Sequence, residues 1–127
     1  MKIVAWPKSK NAGQNPFQHL LYSAIDKQDG VEVSEFGVKS FLFGPPQDVF
    51  HVHWPDVYLA LGRGWRFWVR YGLLRTVFAV AAFRKTPVVW TAHNLNRTGQ
   101  LNSERLEQVF WPWFIRRIDG VVYMTKA

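Results

Sequence analysis

Apolar positions along this chain follow two rhythms that alternate from end to end: short β-branched or aromatic runs, and longer stretches with apolar residues at helical spacing. Residues 2–6 read as a short buried strand ended by Pro7, and 8–14 as a polar, glycine-containing loop. Asn15-Pro16 opens a helix, since Asn caps well, Pro is tolerated at the first helical position, and Phe17, Leu20, Leu21, Ala24 and Ile25 follow at helical spacing. Asp29-Gly30 stops it. Residues 31–36 and 48–54 read as the second and third strands, with no helix expected between them, and Pro55 closes the latter. The pattern over 56–84 is helical with an interruption at Gly62 or Gly64, and Thr86-Pro87 ends it. Residues 88–92 form strand four. Asn102 or Ser103 caps a further helix reaching about residue 118, with Glu104 and Glu107 suited to the positive end of its dipole. Pro112 inside that span predicts a kink or two abutting helices. Asp119-Gly120 then leads into strand five, 121–125.

Strands without a clean polar face, alternating with helices, predict an open, mostly parallel α/β sheet covered on both faces. Ligands of such sheets bind beyond the carboxyl ends of the strands, near the point where strand order reverses. Chemistry is therefore expected just after residues 6, 53, 92 and 124.

Length and composition restrict the rest. The 127 residues, 48% hydrophobic and 20% charged, suit one domain with a packed core and argue against disorder. The absence of cysteine excludes disulfides, thiolate metal sites and cysteine nucleophiles. Pro7, Lys8 and Lys10 cut the N-terminal apolar run too short for a signal peptide, so export is not expected. The longest apolar run, 76–83, is far short of the ~20 residues that span a bilayer. A formal charge of +7 calls for an anionic partner: lipid, nucleic acid or an acidic substrate.

Candidate chemistry sits at the strand ends. His93 and Asn94, in Thr91-Ala92-His93-Asn94, can hydrogen-bond sugar hydroxyls or phosphate oxygens, or simply cap their loop. His53-Trp54-Pro55-Asp56 offers an imidazole, an aromatic face for sugar stacking, and a carboxylate able to accept a proton from an acceptor hydroxyl; Asp56 equally suits a helix cap. His51 and His53 share one face of strand three, but no third ligand has a telling spacing, so no metal is expected and His51 reads as a packing histidine. Gly13, Gln14 and Asn15 precede a helix N-terminus whose amides suit an anion, while neither G-x-G-x-x-G nor a P-loop is present. Arg63, Arg66 and Arg70, interleaved with Trp65 and Trp68, give a basic, aromatic stretch of the kind that lies on an anionic leaflet, or a solvated basic face over a buried aromatic one.

In order and spacing, Asn15-Pro16-Phe17, His53-Trp54-Pro55-Asp56, Thr91-Ala92-His93-Asn94-Leu95 and Asp119-Gly120-Val121-Val122-Tyr123 resemble the N-terminal domain of GT-B glycosyltransferases. The likeness covers almost the whole chain and is closest to the bacterial exopolysaccharide and lipid-linked oligosaccharide transferases of the family 4 type, β-mannosyltransferase-like members included. It implies that residues 1–127 form a Rossmann-like acceptor-side domain. A nucleotide-sugar donor would bind mainly to a C-terminal domain that these residues do not contain, and a lipid-linked saccharide would be the acceptor. By resemblance, His93 faces the donor sugar and the loop from Gly13 to Asn15 lies near the donor phosphates. After Leu95 the chain departs from that pattern: Asn96-Arg97-Thr98 stands where relatives often continue with proline and histidine.

The resulting expectation is part of a transferase, peripheral on the cytoplasmic face of the membrane, with Asp56 and His93 catalytic, no cofactor, and little activity as a lone half. The alternative is a non-catalytic membrane-docking subunit that recruits a separate transferase. Nucleic acid is not an expected partner, since no RRM, KH or helix-turn-helix pattern accompanies the charge.

Overall fold

The structure, a computed structural model, describes residues 1–8, 17–92 and 102–123, with side chains from residue 20 onward in the second stretch. Five strands, β1 (Lys2–Trp6), β2 (Glu32–Glu35), β3 (Val49–Val52), β4 (Val88–Ala92) and β5 (Gly120–Tyr123), form one sheet in the order β2-β1-β3-β4-β5. Every pairing is parallel, with Ala5 opposite both Glu35 and His51, and His51 opposite Val89. This is a Rossmann-like open α/β sheet. The first crossover leaves β1 in one direction and all later ones travel in the other, so the order reverses between β1 and β3.

That reversal divides the helices between two faces. Helix α1 (Phe17–Asp26) packs Tyr22, with Leu21 and Ile25, on Ala5 and Val33. On the other face lie α2 (Val38–Phe43), α3 (Pro55–Ala60), α4 (Trp65–Phe83), a short α5 (Ser103–Arg105), a π-helical turn (Leu106–Phe110) and α6 (Trp111–Arg117). Their core is largely aromatic: Phe36, Phe41 and Phe50 meet at ring centroids 5.0 to 5.6 Å apart, and Phe78, Trp90, Phe110 and Phe114 continue the cluster. Such pairs add about 0.5–1.5 kcal/mol each beyond the area they bury.

Three expectations need correcting. Helix α1 turns Leu20 and Ala24 toward solvent and buries Tyr22 instead, because β3 presents two imidazoles on that face and a phenol can bond them. Helix α2 was not expected. It is held by Arg84, the residue that follows α4, whose guanidinium donates to the carbonyls of Phe41 and Leu42 at 2.7 and 2.9 Å. Asn102 does not cap by its side chain. Its φ is +59°, and its amide reaches back to Gly62 O at 2.6 Å and Ala60 O at 3.3 Å, fastening the turn between α3 and α4.

Both glycines contribute to that turn. A Cβ on Gly62 would lie 2.9 Å from the Phe67 nitrogen, and Gly64 has φ +56°. Near residue 112 the helix does divide: the π-helical turn inserts its widened ring just before Pro112, which enters α6 near its start, where no N–H is needed. The two sheet edges differ in character. Edge strand β2 carries Glu32, Ser34 and Glu35, whereas Val121, Val122 and Tyr123 of β5 are all exposed.

Candidate functional site

The carboxyl ends of β1, β3 and β4 lie side by side at the reversal point, and β3 delivers His51 and His53 to the α1 face there. Alternation along β3 sends Phe50 and Val52 into the aromatic core and the imidazoles to the opposite side. There they would be costly without partners. The Tyr22 hydroxyl supplies one, lying 2.7 Å from His51 Nδ1 and 2.5 Å from His53 Nε2, and Thr91 Oγ1 of β4 lies 2.6 Å from His51 Nε2.

Burial makes this array specific. His53 is 1% exposed, Thr91 2% and Tyr22 fully buried, and the two imidazole rings sit 4.5 Å apart. A phenol has one proton, so with both imidazoles neutral it donates to one and accepts from the other. If Tyr22 donates to His51 Nδ1, then His51 Nε2–H donates to Thr91 and His53 Nε2–H donates to the phenol. Reversing every bond gives the second arrangement. The tautomers of His51 and His53 are thus coupled through Tyr22. Burial, reinforced by the nearby charge of Glu35, pushes the Tyr22 phenol far above its ordinary range, so it stays protonated in this role.

Other expected residues lie around this array. Trp54 is half-buried, its ring 5.9 Å from that of His53, and it is the residue preceding α3. Asp56 is therefore not the cap itself; it sits in the first turn behind Pro55, 5% exposed, where the helix dipole favours a carboxylate. The Trp90 indole fixes the His53 carbonyl at 3.2 Å. Gly13, Gln14, Asn15, His93 and Asn94 lie outside the described residues.

The basic, aromatic stretch is split by the fold. Arg63 falls in the turn before α4, and it, Trp65, Arg66 and Trp68 are exposed. Arg70 instead folds inward, donating to Tyr58 O at 2.6 Å with its guanidinium 4.9 Å above the Tyr58 ring. Burial raises the Tyr58 phenol pKa while the Arg70 charge opposes the rise. No helix among the described residues is long and apolar enough to cross a membrane.

Sequence reading missed two features. Tyr22 carries no motif signal, because nothing local ties it to histidines about thirty positions away. The second is an apolar pocket of about 190 Å³ between β1, α2, α3 and α4, walled by Trp6, Phe36, Val38, Tyr58, Leu73 and Val77. Among the described residues no group of three or more histidines or carboxylates is placed to hold a metal ion. No family model, curated protein or solved structure matches this chain.

Proposed function

We propose that this chain is the acceptor-side domain of a GT-B-type glycosyltransferase, which transfers a sugar from a nucleotide donor to a lipid-linked saccharide at a membrane surface. The observation that carries the reading is the hydrogen-bonded His51–Tyr22–His53 array at the mouth of β3, beside the strand-order reversal. One buried and one partly exposed imidazole at the carboxyl edge of the sheet, where aliphatic residues would pack more cheaply, support a site that offers polar atoms to a hydroxylated ligand.

In this reading half-buried Trp54 receives the saccharide, the buried His53 beside it positions that ring, and His93 approaches the donor sugar. The pocket beside Trp6 and Tyr58 suits an isoprenoid segment of the acceptor. Exposed Trp65, Arg66 and Trp68 also favour a second reading, a membrane-docking subunit without acceptor recognition.

Titration with a short-chain polyprenyl-diphosphate saccharide separates the two. The transferase reading expects saturable binding that Trp54→Ala weakens by about tenfold, the loss of one sugar-stacking contact worth ~1.4 kcal/mol. Vesicle binding without any saccharide-dependent affinity would leave the docking reading in its place.

A further inference from the structure

The amino edge of the sheet, opposite the histidine array, holds a second concentration of chemistry. A pocket of about 530 Å³ opens between the C-terminal ends of α4 and α6, lined by Lys85, Thr86, Arg116, Arg117 and Asp119 around Phe78. A smaller one of about 260 Å³, walled by Arg75 and Trp113, adjoins it through Phe78 and Arg117. The two share Phe78 and Arg117 in their walls, and together this neighbouring pair, referred to below as the groove, carries four cations.

Little offsets that charge. Among the described residues no carboxylate lies within ion-pair distance of Arg75, Lys85, Arg116 or Arg117, and Arg75 stacks instead near Tyr71 and Trp113. Asp119, the acid in the lining, accepts the Val88 N–H at 2.9 Å. Two helix C-termini end here, each worth about half a negative charge. With Asp119 they leave a surplus of about two positive charges, which matches the charge of about −2 on a phosphate monoester at neutral pH.

The backbone supplies an independent observation. Lys85 follows α4 with φ +56°, and Thr86 N–H then bonds Ala81 O at 2.8 Å. This left-handed helix end is one that glycine fills without steric cost and that any residue with a Cβ resists. A lysine held there lines the pocket at the expense of local strain, the kind of outlier that accumulates where a side chain is needed for binding.

We propose that this groove binds a phosphate monoester, its phosphate held by Lys85, Arg116 and Arg117 and its organic part resting against Trp113 and Phe78. The arginines supply forked donors suited to phosphate oxygens. The groove reaches β4 at Val88 and the histidine array at Thr91, about 10 Å apart along the strand at ~3.3 Å per residue, and the site does not depend on the transferase reading. The phosphate can be that of a soluble metabolite or of a lipid headgroup.

Chemical-shift titration of the chain with glycerol 3-phosphate, against glycerol, reads the soluble source, and flotation with phosphatidic acid or phosphatidylcholine vesicles reads the lipid source. We expect saturable shifts from glycerol 3-phosphate at residues 85, 116 and 117 and none from glycerol. Arg116→Gln with Arg117→Gln should weaken binding at least about tenfold, the loss of one charge-assisted contact. Lys85→Gly should melt higher than wild type yet bind more weakly, which separates binding from folding. Binding only to phosphatidic acid vesicles, lost in the Arg116/Arg117 variant and retained when Arg63 and Arg66 are changed to Glu, supports the proposal with a lipid source. No binding to either probe, affinity unchanged in both variants, or a Lys85→Gly protein that melts lower and binds as wild type would overturn it.

Discussion

Replacing Tyr22 with Phe keeps the ring that packs on Ala5 and Val33 and removes only the hydroxyl between the imidazoles. One histidine nitrogen then loses its donor and the other its acceptor, beside a His53 that is 1% exposed. A buried polar atom left unsatisfied costs about 1–3 kcal/mol, and the partial exposure of His51 brings its share to the low end, so the sum is about 2–4 kcal/mol. For a domain of this size that lowers Tm by roughly 10 °C. Urea unfolding followed by tryptophan fluorescence, with calorimetric melting, measures both. The same variant has a pH signature. The folded state raises the Tyr22 pKa above its ordinary 10.0, so it holds the proton more tightly than the unfolded chain does. The stabilisation is complete below pH 10 and is lost as pH rises beyond it. Wild type should therefore lose Tm above pH 10 more steeply than Tyr22→Phe, which retains only the weaker slope of the same sign from Tyr58. A variant within about 0.5 kcal/mol of wild type, with an unchanged alkaline slope, would refute the bridging role.

Two further outcomes follow from the helices around α4. Changing Arg63 and Arg66 to Glu should abolish salt-sensitive binding to phosphatidylserine vesicles, which are anionic but carry no phosphate monoester, since each exposed arginine is worth about 1 kcal/mol near such a surface, whereas Arg70→Ala should lower Tm because its guanidinium is engaged by Tyr58. Co-sedimentation and melting separate these effects. Asn102→Ala should cost about 1–2 kcal/mol through the lost bonds to Gly62 and Ala60, and Asn102→Gly about 1 kcal/mol less, because glycine also relieves the Cβ that both Asn and Ala hold at φ +59°, as read by urea titration.

What could be read in the sequence was what short-range chemistry decides. Strand four was placed at 88–92 because a run of β-branched and aromatic residues follows a helix-ending Thr-Pro, and Val88–Ala92 is the strand observed. The break at Gly62 or Gly64 was legible since each glycine leaves a local trace, and the structure uses one for close approach and the other for its φ. Helix α2 was hidden because it is a six-residue helix, flanked by Gly37 and Gly44, and depends on an arginine more than forty positions away. The site divides in the same way. His53, Trp54 and Asp56 announce themselves by following a strand, but Tyr22 acquires its role only when α1 crosses the sheet. Helical periodicity also favoured the wrong rotation of α1, because Leu20 and Ala24 score as core while a tyrosine meeting two imidazoles does not.

The unlike edges of the sheet set a valence for self-association. Along β2 the charged and hydroxylated side chains discourage a neighbouring strand, while β5 offers an apolar, exposed ribbon with an open ladder. A molecule with one adhesive edge is monovalent in the polymer sense. Among the described residues a strand added at β5 therefore leaves only the guarded β2 edge outward, so the sheet accepts extension on one side and resists it on the other.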